Sequence, residues 1–551
     1  MGYGIWDMGC GIWDVGYGMW DMGAPRVWAG AHIPFPISHI RRYLLAMSDR
    51  ASNLAELSSR TFDALIIGGG ITGAGIARDA AMRGLRVALV DKSDFASGTS
   101  SRSSRLIHGG VRYLEHGHLH LVFEASAERR RLLRLAPHLV HPLSFIWPVY
   151  RGQRLPLWKL AAGLTLYDLL SLFRNVERHK RLSAQDVLAL EPALNPLQLS
   201  GGVRYFDAAT DDTRLTLANV LDAQRLGAIV VNHAAFTGVQ LAPTGLRSAR
   251  LEDALTGNRL EAQARVLVNA TGPWSDAVRL LNGETSRARI QGSKGSHIAV
   301  RRERVGNKEA LTLLHPKDGR VMFALPAGAN TIIGTTDTFT DVSPDDVRAN
   351  EMDISYLLEA ANTFFPQARL HRSDVISAWA GIRPLMPSSG SSVQASREHT
   401  IERTNGTVTI TGGKLTTYRI MAAEAVDVVQ KVLGMPKRRA PTGDRAVPDE
   451  SLEVDRFCVR SADLQAPLAH GLPYRMGEMQ WGVQHELACT LGDLLIRRTH
   501  VAFETRDNGR EVSRKVVAFV APLLGWDEAK RAAELARYDA EVARIFTIDP
   551  S

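Results

Sequence analysis

Between Phe62 and Val90 the spacing of apolar positions changes twice, and each change marks an element. Phe62–Ile67 is a mostly apolar run that reads as a strand and stops at Gly68-Gly69-Gly70. From Ile71 to Arg83 the residues Ala74, Ile76, Ala77, Ala80 and Ala81 supply a helical packing face, which Gly84 terminates. Arg86–Val90 is a second strand, closed by Asp91. Further on, Leu114–Leu135 has a helical pattern rich in Arg, and Leu155–Phe173 is an apolar segment interrupted by Lys159 and Asp168. Ala228–Val231, Ala264–Val268, Arg289–Val300, Val321–Pro326 and Thr331–Thr336 read as strands. Beyond a linker at Lys437–Gly443, Glu478–Val501 and Arg514–Ile545 return to helical spacing.

Strand, glycine turn, helix, strand and acid fit within about 30 residues, the size of a Rossmann βαβ unit. Gly68 allows the tight turn, Gly70 lets the backbone approach a pyrophosphate, and Gly73 lets helix and strand pack closely. The helix N-terminus offers N–H groups and partial positive charge to phosphates, and Asp91 can accept from ribose hydroxyls.

Thr99–Tyr113 reads TSSRSSRLIHGGVRY, and its Ser and Thr hydroxyls suit a flavin's diphosphate and ribityl chain. Downstream come Asn269-Ala-Thr-Gly-Pro-Trp274, KGSH, IIGTTD, AWAGIRPL and TGGKLTTYR, in that order. The serine-rich turn with LIHGGVRYLEHG, followed by these elements, resembles the FAD-dependent, quinone-linked glycerol-3-phosphate dehydrogenases over about Phe62–Ile420. HELACTLGDLLIRRT resembles the helical C-terminal cap of bacterial members. Val447-Pro-Asp-Glu450 stands where the family commonly has a Pro-Gly-Gly turn, and the stretch from there to His485 is short.

The resemblance implies oxidation of sn-glycerol 3-phosphate to dihydroxyacetone phosphate, with hydride passing from C2 to flavin N5 and electrons to a quinone. The phosphate end calls for fixed cations, for which Arg112 with Tyr113, and Arg397, are the candidates. His108 is the leading base, Arg383 and Lys414 would stabilise developing negative charge, and Lys414 is an alternative base. The expected FAD contacts are Gly68, Gly70, Gly73, Asp91, Thr99, Ser100, Ser104, Gly109, Thr271, Gly272, Gly413, Lys414 and Thr416. The fold implied is α/β: a Rossmann-like FAD domain built from 61–113, 200–289 and 376–433, a mixed β-sheet substrate domain from 114–199 and 290–375, and a helical cap at 445–551.

Composition narrows this picture slightly. The 551 residues are 45% apolar and 23% charged, ordinary for a globular protein. A net charge of +8 serves an anionic substrate or an acidic lipid surface, and no nucleic-acid-binding motif accompanies it. Three cysteines form no CxxC pair, which points away from thiol catalysis and a disulfide framework. His116, His118 and His120 lack a supporting carboxylate pattern, so no metal is expected. Gly2–Met22 repeats a seven-residue Gly/Trp unit, and residues 1–46 read as a low-complexity, disordered extension, with the functional part starting near Met47. No export signal or spanning segment is evident, so a cytoplasmic enzyme attached peripherally to the membrane is expected, with homodimerisation open. Two other functions stay open: an oxidase using oxygen, and a non-catalytic FAD-binding protein.

Overall fold

The computed structural model describes residues 49–110, 119–171, 176–284, 290–385 and 398–550. Arg112, Tyr113, Arg397, His116, His118 and the Gly/Trp heptads lie outside the described residues. Among the described residues the chain is α/β, with two sheets and a helical C-terminal part.

Three parallel strands form the middle of the first sheet. Thr61–Ile67 pairs with Val87–Val90, placing Ile67 beside Val90, and with Arg259–Asn269, placing Ile67 beside Asn269. Their carboxyl ends are flush, so Gly68, Asp91 and Ala270 leave the sheet side by side. Ile229–Val231 and Thr407–Gly412 extend the parallel array, and antiparallel strands bring the sheet to eight. Both faces are covered, which is why these strands are nearly continuous apolar runs. Ala64 and Ile66 face the helices Ile71–Met82, Asp212–Arg225 and Tyr418–Val432, while Leu65 and Ile67 pack on the opposite side with Leu57. Each of the Leu and Ile side chains contributes about 1.5–3 kcal/mol on burial.

The second sheet has ten strands. Along its strand Gln291–Arg301 the side chains alternate. Ile298 and Val300 pack with Leu357 and Phe364 of the helix Glu351–Phe364. Ala299 joins the opposite cluster, with Trp379 and Phe503, and His297 stacks on Trp379. Sequence order assigns the segments from 200 and from 376 to the FAD half, but pairing places Leu199–Thr210 and Val375–Leu385 in the second sheet. Leu199–Thr210 hydrogen-bonds along Val140–Tyr150, and Val375–Leu385 along Gln291–Arg301, contacts that reading along the chain does not show.

The long C-terminal helical patterns are broken up. Met476–His485, a π-wound turn at Asp493–Arg498 and Val501–Glu504 replace the first, and a left-handed Gly525 (φ 65°) separates Arg510–Leu524 from Glu528–Phe546. A buried ion network docks this part on the FAD sheet. Asp94 accepts from Arg497 Nε at 2.8 Å and Arg498 Nη1 at 2.6 Å, while Arg497 also reaches Asp493 and Glu541. His233 Nε2 lies 3.0 Å from Asp493. Asp94, His233 and Asp493 have metal-like spacing, yet guanidinium groups already neutralise the two carboxylates, so the cluster is an ion-pair network.

Removing one partner from such a network strands buried charge. Asp94→Ala is expected to cost about 3–5 kcal/mol, measured by chemical denaturation. Lys92→Ala breaks the half-exposed Lys92–Asp345 pair and should cost under about 1 kcal/mol. Equal losses from the two variants would contradict this assignment.

Candidate active site

A cavity of about 400 Å³ lies where the flush strand ends of the first sheet meet the second sheet. Its first wall is the glycine turn. Gly68 has φ +105°, and a Cβ there would sit 2.8 Å from Ala270 O, closing the crevice. A Cβ on Gly73 would lie 1.8 Å from Gly68 O, so glycine is what lets the helix seat against the turn. Ile71 N donates to Ser100 Oγ at 3.0 Å, which fixes the serine turn over the helix N-terminus. The Ser100 hydroxyl proton remains to donate to a phosphate oxygen.

At one end, Asp91 accepts from Gly69 N at 2.6 Å and Ser93 N at 2.8 Å. Burial nevertheless raises its carboxyl to about 6. Lys92 bonds Asp345 and stands 4.5 Å from the centre of the Trp274 ring, so charge and indole close this end. Arg102 is buried on the cavity wall, with its pKa drawn down to about 10 by burial, and its Nε has no hydrogen-bond partner. A buried cation short of acceptors suits a diphosphate. Glycine turn, helix N-terminus, serine hydroxyls, the buried acid Asp91 and Arg102 together fit a flavin dinucleotide.

At the other end His108, Arg383 and Lys414 line the cavity. Arg383 Nη2 donates to Thr335 Oγ1 at 2.9 Å, and its Nη1 is 3.5 Å from Asp337. Gly295 makes room for this guanidinium, since a Cβ there would lie 2.4 Å from Nη2. Thr416 Oγ1 donates to His108 O at 3.2 Å, and Gly109 N donates to Asp207 at 3.0 Å. Asp207 also holds Arg129 and accepts from the Tyr167 hydroxyl at 2.8 Å.

Of the sequence-predicted FAD contacts, Gly68, Gly70, Asp91, Thr99, Ser100, Ser104, Thr271, Gly272, Gly413 and Lys414 line the cavity. Gly73, Gly109 and Thr416 support the wall from behind rather than forming its surface. The sequence reading missed Arg102, Asp207 and His297, all on the cavity wall. His297 Nε2 meets Ser104 Oγ at 2.9 Å, and burial beside Arg383 and Arg105 lowers its pKa to about 3, keeping it neutral. Its signal was available: it ends the KGSH element and shares strand parity with Gly295, which also lines the cavity.

The raised Asp91 carboxyl carries a prediction. Ribose hydroxyls donating to Asp91 would stabilise the ionised form, so FAD binding would expel its proton and affinity should rise with pH up to about 6 and then level off. Asp91→Asn should bind more weakly and lose that dependence. Fluorescence titration of the apoprotein with FAD checks both, and an unchanged slope in the variant would contradict the ribose role.

Comparison with known proteins agrees with this geometry. A family model described as FAD dependent oxidoreductase matches residues 63–423, and one described as C-terminal domain of alpha-glycerophosphate oxidase matches 447–531. A glycerol-3-phosphate dehydrogenase of Mycobacterium leprae is 36% identical, over 90% of this chain and 91% of its own length. One from Synechocystis is also 36% identical, over 88% of this chain and 97% of its own length. The crystal structure of the Bacillus halodurans glycerol-3-phosphate dehydrogenase complexed with FAD superposes with a TM-score of 0.74 at 29% identity, covering 91% of this chain and 98% of that one. The cofactor is FAD, and the chain belongs to the family of FAD-dependent glycerol-3-phosphate dehydrogenases.

Proposed function

We propose that the enzyme oxidises sn-glycerol 3-phosphate at C2 to dihydroxyacetone phosphate by hydride transfer to flavin N5, and passes the electrons to a quinone while attached peripherally to the cytoplasmic membrane. The outer side of two helices carries the acceptor reading. On Leu119–Leu135 the residues Leu119 and Phe123 are exposed, and on Leu157–Leu170 so are Trp158, Leu166 and Leu169. Trp158 is 69% exposed, far more than a core tryptophan. Their inner sides carry Arg129 and Tyr167, which reach Asp207 at the cavity wall. An apolar outer surface thus lies one helix thickness from the site, as a membrane-dissolved acceptor requires. Arg129, part of the basic run 129–131, turns inward and does not serve a lipid-facing charge patch. No helix among the described residues is long and apolar enough to cross a membrane, so a surface contact is the fitting mode.

FAD, when bound, supplies the two-electron acceptor. The chain supplies the rest. Arg112, Tyr113 and Arg397 are assigned to the substrate phosphate on the family resemblance. Arg383, anchored by Thr335 and Asp337, faces the cavity as a fixed cation for the negative charge that develops on O2. His108 takes the O2 proton as the C2 hydride departs. Lys414 is the alternative base, supported by its buried amine on the cavity wall. Oxygen as acceptor is the second reading, favoured by the match of the C-terminal part to a domain named for an oxidase.

Purified enzyme with glycerol 3-phosphate should reduce a soluble quinone analogue with little peroxide release; peroxide matching substrate consumption would select the oxidase reading. His108→Ala should retain FAD yet reduce it about 10²–10⁴-fold more slowly, with the deficit shrinking as pH rises. Unchanged flavin reduction in this variant would remove His108 from the mechanism.

A further inference from the structure

Besides Arg544, which lines the cavity directly, the C-terminal part reaches the active site through a chain of rings and one imidazole. Phe503, in the short helix Val501–Glu504, meets Trp379 edge-on at 5.1 Å, with an interplanar angle of 88°. Its backbone oxygen accepts from Ser377 Oγ at 2.6 Å, which pins the helix to the strand carrying Trp379. Trp379 in turn lies against His297, stacked at 5.5 Å and 12°. His297 Nε2 bonds Ser104 of the serine turn at 2.9 Å.

A second arm reaches the same turn. Arg105, the residue after Ser104, adopts a left-handed φ of 55°, a strained backbone that its surroundings must hold. Its guanidinium lies over the Phe503 ring at 5.2 Å and donates from Nη2 to His500 Nδ1 at 3.2 Å. A guanidinium only donates, so Nδ1 accepts and the His500 proton sits on Nε2, 2.7 Å from Asp211 Oδ2. The adjacent Asp212 takes Ser103 Oγ at 2.6 Å. Tyr474, which accepts from His500 N and donates to Glu504, completes the polar surroundings of His500. His500 therefore bridges the cation at the end of the turn to the acid pair that anchors its start.

We propose that His500 and Phe503 are positioning residues for the reaction: they hold the Ser103–Arg105 turn and His297 in register with the bound flavin. The proposal rests on the reading that this turn faces FAD and that glycerol 3-phosphate reduces it. Neither residue lines the cavity, so their effect passes through Arg105, Trp379 and His297. A displacement of this turn by a fraction of an ångström changes the alignment of cofactor and substrate without emptying the site.

The test uses full-length holoenzyme carrying His500→Ala, His500→Gln or Phe503→Leu. Glutamine matters because its amide can donate to Asp211 and accept from Arg105, as the imidazole does. In His500→Ala and Phe503→Leu the limiting rate of anaerobic flavin reduction should fall about tenfold or more, with full FAD occupancy and an unchanged half-saturating substrate concentration. His500→Gln should recover most of the rate. The oxidised flavin's visible absorption bands, read without substrate, should shift in His500→Ala and return in His500→Gln. Wild-type rates in both disruptive variants, a loss that tracks missing FAD, or no rescue by glutamine would overturn the proposal. If His500→Ala does not fold, Phe503→Leu beside His500→Gln decides it by the same criteria. The substrate reading fails separately, on a wild-type flavin that glycerol 3-phosphate leaves oxidised, and the absorption bands then still decide the positioning claim.

Discussion

The structure depends on the registry of three parallel strands. Because Ile67 stands beside both Val90 and Asn269, three chain segments leave the first sheet at one level: the glycine turn at Gly68, the acid at Asp91 and the backbone at Ala270–Thr271. A shift of one residue in either pairing would reverse side-chain direction and move an apolar strand into conflict with its helices. The crevice is thus a product of core packing. What the glycines add is clearance, as the 1.8 Å approach of a Gly73 Cβ to Gly68 O makes plain.

The second sheet supplies the facing wall of that crevice, and the helical C-terminal part contributes Arg544 to it. The strand Gln291–Arg301 uses its alternation to bury Ile298 and Val300 against a helix and to aim His297 at the cavity. The C-terminal part is held by Arg497 and Arg498 on Asp94, three residues beyond Asp91 on the cavity wall. Cofactor pocket and C-terminal docking therefore share one loop. Burying these charges is tolerable because each guanidinium finds a carboxylate. Arg102, whose Nε finds no partner, is the exception, and it lies where an anionic diphosphate would complete it.

How much of this was legible in the sequence depends on the range of each interaction. The glycine turn, its helix and Asp91 are local, so period and spacing suffice to read them. The serine turn and the GGK element were readable as motifs, and most of their residues do line the cavity. Arg129, Arg497 and Arg498 were not readable: runs of arginine suggest a solvated face, whereas these are buried on Asp207 and Asp94, partners far away in sequence. The same holds for Leu199–Thr210 and Val375–Leu385, whose sheet is decided by long-range pairing. His297 stood inside the KGSH element, but that its ring faces the cavity is decided by the pairing of its strand with Val375–Leu385 and by parity.

Arg383, Lys414 and His108 line one cavity, and the proposed chemistry requires that they meet a bound flavin and a phosphorylated triol there. The most direct measurement is an anaerobic titration of the purified yellow protein with glycerol 3-phosphate, followed through the visible flavin absorbance. Bleaching stoichiometric with bound FAD is expected, with no bleaching by glycerol at the same concentrations. A preparation without flavin, or one whose absorbance persists through the titration, would contradict it.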